Sequence, residues 1–237
     1  MKKSLILTIL LLAGCASNDQ MVKATFCLSI ESGTFPTKGI AADIAATIPA
    51  SVPLTLTNTA TSAVYNVNTG ESITLPIGTY SVAGTYNPTL LQGIVGTTRF
   101  TSRTPKIVVS DEVAVEAGTE SYIVSASYQS FAVGVLPSEV SAWTGRFKGN
   151  IAAVEYNEGD DLHWIFVTGN IDPSNYFYTT ITPISGSERT FTFITSGELE
   201  GAVLAEYGKW YIMHPAAPTT QSGSFTLDLP TWQEGNL

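Results

Sequence analysis

Apolar and polar residues alternate at period two along much of the chain. The pattern runs through Pro53-Leu54-Thr55-Leu56-Thr57, Thr79-Tyr80-Ser81-Val82, Val113-Ala114-Val115, Tyr122-Ile123-Val124-Ser125, Tyr178-Thr179-Thr180-Ile181, Thr190-Phe191-Thr192-Phe193 and Ser224-Phe225-Thr226-Leu227. Such alternation predicts strands with one face in a core and one in water. Between them stand Asn68-Thr69-Gly70, Asn87-Pro88, Glu158-Gly159-Asp160, Asp172-Pro173 and Ser185-Gly186, residues that supply the positive or fixed φ of tight turns. An all-β, antiparallel β-sandwich is the expected class. Gly39 to Ile48, rich in Ala and Ile, and Ser138 to Trp143, after a Pro-Ser-Glu start, read as short helices.

One pattern recurs. Glu71-Ser72-Ile73-Thr74-Leu75-Pro76-Ile77-Gly78-Thr79 aligns with Asp111-Glu112-Val113-Ala114-Val115-Glu116-Ala117-Gly118-Thr119, and Tyr80, Val82 and Tyr86 then match Tyr122, Val124 and Tyr128 after a two-residue insertion. The same hairpin is expected twice: alternating residues enter, Gly reverses the chain, and a Tyr-rich strand returns. Gly208-Lys209-Trp210-Tyr211 is a third, weaker copy. A division near Leu136 to Gly149, where Pro and Gly interrupt the strand series, gives units of 23–136 and 137–237, each large enough for a small sandwich, with one larger sandwich as the alternative.

The N-terminus reads as an address. Met1-Lys2-Lys3 is a positive start, and Leu5 to Leu12 is an apolar run too short for a hydrocarbon core of about 30 Å. Leu12-Ala13-Gly14-Cys15 resembles the bacterial lipobox, which implies cleavage between Gly14 and Cys15 and acylation of Cys15. Residues 1–14 are then a lipoprotein signal peptide and 15–22 a lipidated tether. Ala16 in place of Asp implies, by resemblance to lipoprotein sorting rules, an outer-membrane address; surface exposure is the expected orientation, with the inner face as the open alternative. Several acyl chains hold a protein at a bilayer without a spanning helix.

Composition narrows the function. The 237 residues carry a net charge of −9 with 44% hydrophobic and only 13% charged residues, which excludes disorder and a basic nucleic-acid binder. Two cysteines occur, so with Cys15 acylated Cys27 has no disulfide partner. Cys27 alternates out of the apolar face formed by Ala24, Phe26, Leu28 and Ile30, lacks basic neighbours that would activate a thiol, and reads as filler.

The chemistry of catalysis is sparse. The two histidines, His163 and His214, make no HExxH pair, and Asp160, Asp161 and His163 follow a turn without the alternating oxygen ligands of a calcium loop. Glu198 and Glu200 are carboxylates of the type glycoside hydrolysis needs, but turn glycines bracket them. Ser185-Gly186-Ser187 is a turn, no Gly-x-Ser-x-Gly elbow occurs, and there is no phosphate-cradling loop. No enzyme, metal or cofactor is expected. Trp143, Trp164, Trp210 and Trp232 are the candidate binding residues, since flat rings stack on sugar faces.

The lipobox, the β-rich body, the Gly-Thr/Lys-x-Tyr strand-turn units and the C-terminal Leu227-Asp228-Leu229-Pro230-Thr231-Trp232-Gln233-Glu234-Gly235 resemble the fimbrillin-like superfamily of pilus subunits, pilus anchors and surface adhesins. The resemblance implies two transthyretin-like or Ig-like Greek-key sandwiches and a structural or adhesion role at the outer membrane. It also implies a partner reached by β-strand addition, with the strand Lys23 to Ile30 as the element displaced in strand exchange. Without displacement that strand is expected at a sheet edge. Lys38 is the nearest cleavage candidate in the loop from Glu31 to Ser51. The alternative function is a glycan-binding lipoprotein that assists nutrient capture.

Overall fold

The computed structural model describes residues 20–30, 49–94, 96–149, 151–157, 163–213, 215 and 232–236, with side chains excepted at Ile30, 152–157 and 232–236. All described regular structure is β-strand. Gly39 to Ile48 and Ser224 to Leu227 lie outside the described residues. Ser138 to Trp143 is corrected: Glu139 N–H closes a turn onto Leu136 O at 2.9 Å, and a strand begins at Val140. The helix start is overridden because Trp143, Gly145 and Phe147 bury alternate positions of that strand.

The first sheet contains β1 (Met21–Ile30), β2 (Pro53–Asn58), β3 (Val64–Asn68), β4 (Ser72–Pro76), β5 (Gly78–Tyr86), β8 (Ile107–Val115) and β9 (Ser121–Tyr128), in the order β3-β2-β5-β8-β9-β1-β4. This sheet doubles over. Four strand spacings, about 19 Å in a flat sheet, separate β4 from β5, yet Ile77 alone joins them, which allows about 7 Å between the flanking Cα atoms. The fold line runs along β8 and β9. β8 pairs with β5 from end to end, but with β9 only over Ile107–Val109. Between the two layers lies a core of Ala24, Phe26, Leu54, Leu56, Leu75, Tyr80, Val82, Val109 and Val124. Burying each large side chain there contributes about 1.5–3 kcal/mol.

A second seven-strand unit repeats this path. Its strands are β10 (Ser130–Val135), β11 (Val140–Phe147), β12 (Ile151–Asn157), β13 (Trp164–Thr168), β14 (Phe177–Pro183), β15 (Arg189–Ile194) and β17 (Lys209–Met213). The order β17-β10-β13 in one sheet and β12-β11-β14-β15 in the other matches β9-β1-β4 and β3-β2-β5-β8 strand for strand. In both units the first strand lies between one antiparallel and one parallel neighbour: β4 and β9 flank β1, and β13 and β17 flank β10. Added to this plan are β16 (Ala202–Leu204), parallel to β15, and β18 (Trp232–Asn236), antiparallel to β17. The expected division at 136/137 falls just after β10, the strand that takes the place of β1 in this repeat. The second unit starts at Ser130, directly after β9, so β10 belongs to the C-terminal unit.

Two more strands cross between the units. β6 (Leu90–Gly93) and β7 (Phe100–Ser102) leave the first unit between β5 and β8 and add to the second unit's sheet, β7 pairing antiparallel with β13. That sheet is covered on both faces. Phe131, Val133, Ile165, Val167, Tyr211 and Met213 meet Trp143, Phe147, Phe177 and Phe193 in a second core. On the opposite face Ala132, Phe166, Trp210 and Ile212 join the first core. Every residue of β10 is accordingly buried.

Candidate functional site

β1 is the element on which the sequence puts strand exchange, and it is not an edge. Met21–Thr25 pair antiparallel with β4, and Thr25–Ile30 pair parallel with β9, so each half of β1 has a different partner. Phe26 O also accepts from Gly70 N–H at 2.9 Å, and Thr25 N–H donates to Glu120 O at 2.8 Å. Ala24 and Phe26 are fully buried, and the Phe26 ring stacks on Tyr122 with centroids 5.6 Å apart. The expectation of an edge position is corrected: the doubled sheet places β4 outside β1. Cys27 is exposed on the outer face, with Sγ 4.0 Å from Ser121 Oγ. Lys38 and most of its loop, and Gly14 and Cys15 of the lipobox, lie outside the described residues.

The repeated Gly-Tyr pattern makes arches rather than hairpins. β4 and β5 do not pair with each other, and β8 and β9 pair only far from their turn, so each copy carries the chain from one layer to the other. A tyrosine hydroxyl locks each arch to backbone. Tyr80 OH donates to Pro76 O at 2.8 Å. Tyr122 OH accepts from Glu116 N–H at 3.0 Å and has Thr119 O as acceptor at 2.9 Å. In the third copy Tyr211 OH accepts from Glu206 N–H at 3.0 Å. This is the physical content of the pattern: a phenol on the departing strand satisfies backbone groups that an arch leaves without a ladder partner.

The structure describes the side chains of three of the four tryptophans, and two of these are buried. Trp143 and Trp210 are 1% and 4% exposed, so neither presents a ring face to a sugar. Trp210 and Tyr211 face opposite ways as strand geometry requires, yet both are buried because layers cover both faces of β17. Trp164 is half-buried against the first core, and the side chain of Trp232 is outside the described set. The indole N–H groups of Trp164 and Trp210 are buried without a hydrogen-bond partner among the described residues.

Among the described residues no group of three His, Cys, Asp or Glu is placed to hold a metal ion. Glu198 and Glu200 are exposed between Gly197 and Gly201, both at positive φ. His163 is half-buried at the start of β13, while Asp160, Asp161 and His214 lie outside the described residues. No described helix is long and apolar enough to cross a membrane.

An open hollow of about 540 Å³ lies beside β16, and none of its residues carried a motif in the sequence. Tyr207 and Leu204 give it an exposed apolar wall; Asn170, Ser196 and Glu206 supply polar groups. Tyr207 OH is fixed by donation to Gly169 O at 2.8 Å, and burial raises its pKa above the usual phenol value. Ser196 Oγ donates to Asn170 Oδ1 at 3.3 Å, and Lys209 Nζ lies 3.1 Å from Glu206 Oε1. The hollow is open to solvent and sets one tyrosine ring beside neutral and acidic polar groups. It has no paired carboxylates for hydrolysis.

No family model matches the chain, and no curated protein does. Solved structures do resemble it at low identity. A fimbrial assembly protein from Parabacteroides distasonis superposes with a TM-score of 0.46 at 12% identity, covering 85% of this chain and 93% of that one. For a candidate cell adhesion protein from Bacteroides eggerthii the values are 0.42, 10%, 92% and 95%, and for a candidate adhesin from Bacteroides ovatus 0.32, 12%, 78% and 88%.

Proposed function

We propose that the chain is an outer-membrane surface lipoprotein with a structural or adhesion role of the fimbrillin-like kind, a pilus component or a non-polymerising adhesin. The observation that carries the reading is the register of Met1-Lys2-Lys3, Leu5 to Leu12 and Leu12-Ala13-Gly14-Cys15, set a few residues before β1 of an all-β body. Acyl chains on Cys15 supply attachment, and the residues up to Gln20 supply reach. The β units then present loops and strand edges to a partner. No step of chemistry is required. As a pilus subunit the chain would release β1 after cleavage in the loop that follows it, opening a groove between β4 and β9 for a neighbour's strand.

Brief proteolysis and surface labelling of intact cells, followed by electrophoresis of unboiled shear fractions, test this reading. Labelled protein in heat-labile ladders marks a strand-exchange polymer. Labelled protein that stays a single tethered species marks an adhesin. A protein protected from both reagents removes the surface assignment.

Glycan binding is the second reading, and it rests on the hollow at Tyr207 rather than on the tryptophans. Retention on a glycan array, lost in Tyr207→Ala and kept in Trp210→Phe, is the result expected from it.

A further inference from the structure

The two units differ at one rim. In the second unit β7 lies along the outer edge of β13, β6 lies beyond β7, and both approach β12. The equivalents of β13 and β12 in the first unit are β4 and β3. Among the described residues these two end the sheet with no strand outside them.

The edge of β3 is built for pairing. Asn58 N–H donates to Ala63 O and Thr69 N–H to Val52 O, which fixes the alternation of the β2–β3 ladder. Leu56–Tyr65 and Leu54–Val67 are then its hydrogen-bonded pairs, and Val64, Asn66 and Asn68 turn their N–H and C=O groups to the free side. Glu71 N–H takes Asn68 O. The others have no partner among the described residues. β3 carries no charge or proline, and its register with β2 is unbroken, so the usual devices that blunt an edge are missing. Tyr65 and Val67, half-buried, bring the first core out to this rim.

We propose that β3 is an interface between two copies of this chain, paired antiparallel about a twofold axis through Asn66. Val64-Tyr65-Asn66-Val67-Asn68 is self-complementary in that register: Tyr65 meets Val67 of the second copy on the core side, and Val64 meets Asn68 on the outer side. Glu71 falls opposite Thr61 and not opposite another carboxylate. In a chain of net charge −9, which opposes self-association in general, an edge strand without charged residues adds no repulsion of its own when two copies meet along it. The contact is separate from strand exchange through β1 and from the membrane anchor.

Disulfide trapping in intact cells tests it, with the full chain in a Cys27→Ser background. Opposed hydrogen-bonded residues have Cα atoms about 5.5 Å apart, within disulfide reach. Asn66→Cys replaces an exposed side chain and is expected to give a dimer on non-reducing electrophoresis after mild oxidation. Ser81→Cys, exposed on β5 two strands inward, is expected to stay monomeric. Equal dimer from both variants means random collision and overturns the proposal. So does an Asn66→Cys monomer: if its thiol reacts with maleimide, the edge is open, and if it does not, residues 31–48 or 216–231 or another protein cover it. A cross-link to a different protein likewise overturns it.

Discussion

Three tyrosines show how single hydroxyls hold this architecture. Tyr122 is expected to matter most, because its OH serves both a donor and acceptors of one arch. Tyr122→Phe should cost about 1–3 kcal/mol by leaving Glu116 N–H unpaired in a part-buried turn, read by urea unfolding. Tyr128 makes a different prediction. Burial pushes its phenol up to about 12, so the folded state keeps its proton at a pH where the unfolded chain has lost it. Its contribution to stability is full below about pH 10 and declines as pH rises to about 12. Alkaline unfolding followed by circular dichroism should show that decline, and Tyr128→Phe should flatten it. At this scale the sequence was informative about glycine and tyrosine, whose spacing carries the turn chemistry. It was uninformative about Trp143 and Trp210, because alternation tells which face a ring takes and not whether a second layer covers that face.

The strands drawn from alternation are present wherever they fall in described residues, since half-buried strands write period two into the chain. β10 escaped that reading. Phe131-Ala132-Val133-Gly134-Val135 is apolar without alternation because both its faces are covered, so nothing periodic marks it as the opening strand of the second repeat. Sheet neighbours were also illegible: nothing local to β1 tells that β4 lies outside it. The β6–β7 excursion depends on one close approach. Gly169 has φ +108°, and a Cβ there would stand 2.8 Å from Arg99 Cα and 2.8 Å from Thr98 O. Gly169→Ala is expected to lose about 1–3 kcal/mol of stability from strain and crowding, and to raise amide exchange in Phe100–Ser102. An unchanged exchange pattern would show that the excursion docks without that approach.

Across the whole molecule, the two units are expected to unfold together. β7 is covalently part of the first unit and hydrogen-bonded into the second, and Phe166, Trp210 and Ile212 of the second lie in the first core. Calorimetry should give a single transition, which Phe166→Ala lowers without splitting, at a cost of about 3–5 kcal/mol; two resolved transitions would sink the expectation. This coupling had no trace in the sequence, which carries the duplication only as a weak Gly-Tyr echo while the shared sheet arises from contacts distant along the chain.

The position of β1 has a mechanical consequence. Under the proposed anchoring at Cys15, tension enters the described body at Met21, and its component along the strand axis loads β1 first. The ladder bonds to β4 and β9 lie across that axis, so the pull loads them in shear and many must yield at once. A terminal hairpin drawn sideways would instead open one bond at a time. Because the bonds to β4 hold one half of β1 and those to β9 the other, and Phe26 is buried between the layers, slippage by even one residue would have to drag an aromatic ring out of its core. Tension along β1 thus meets the ladder in shear and the core at Phe26 together.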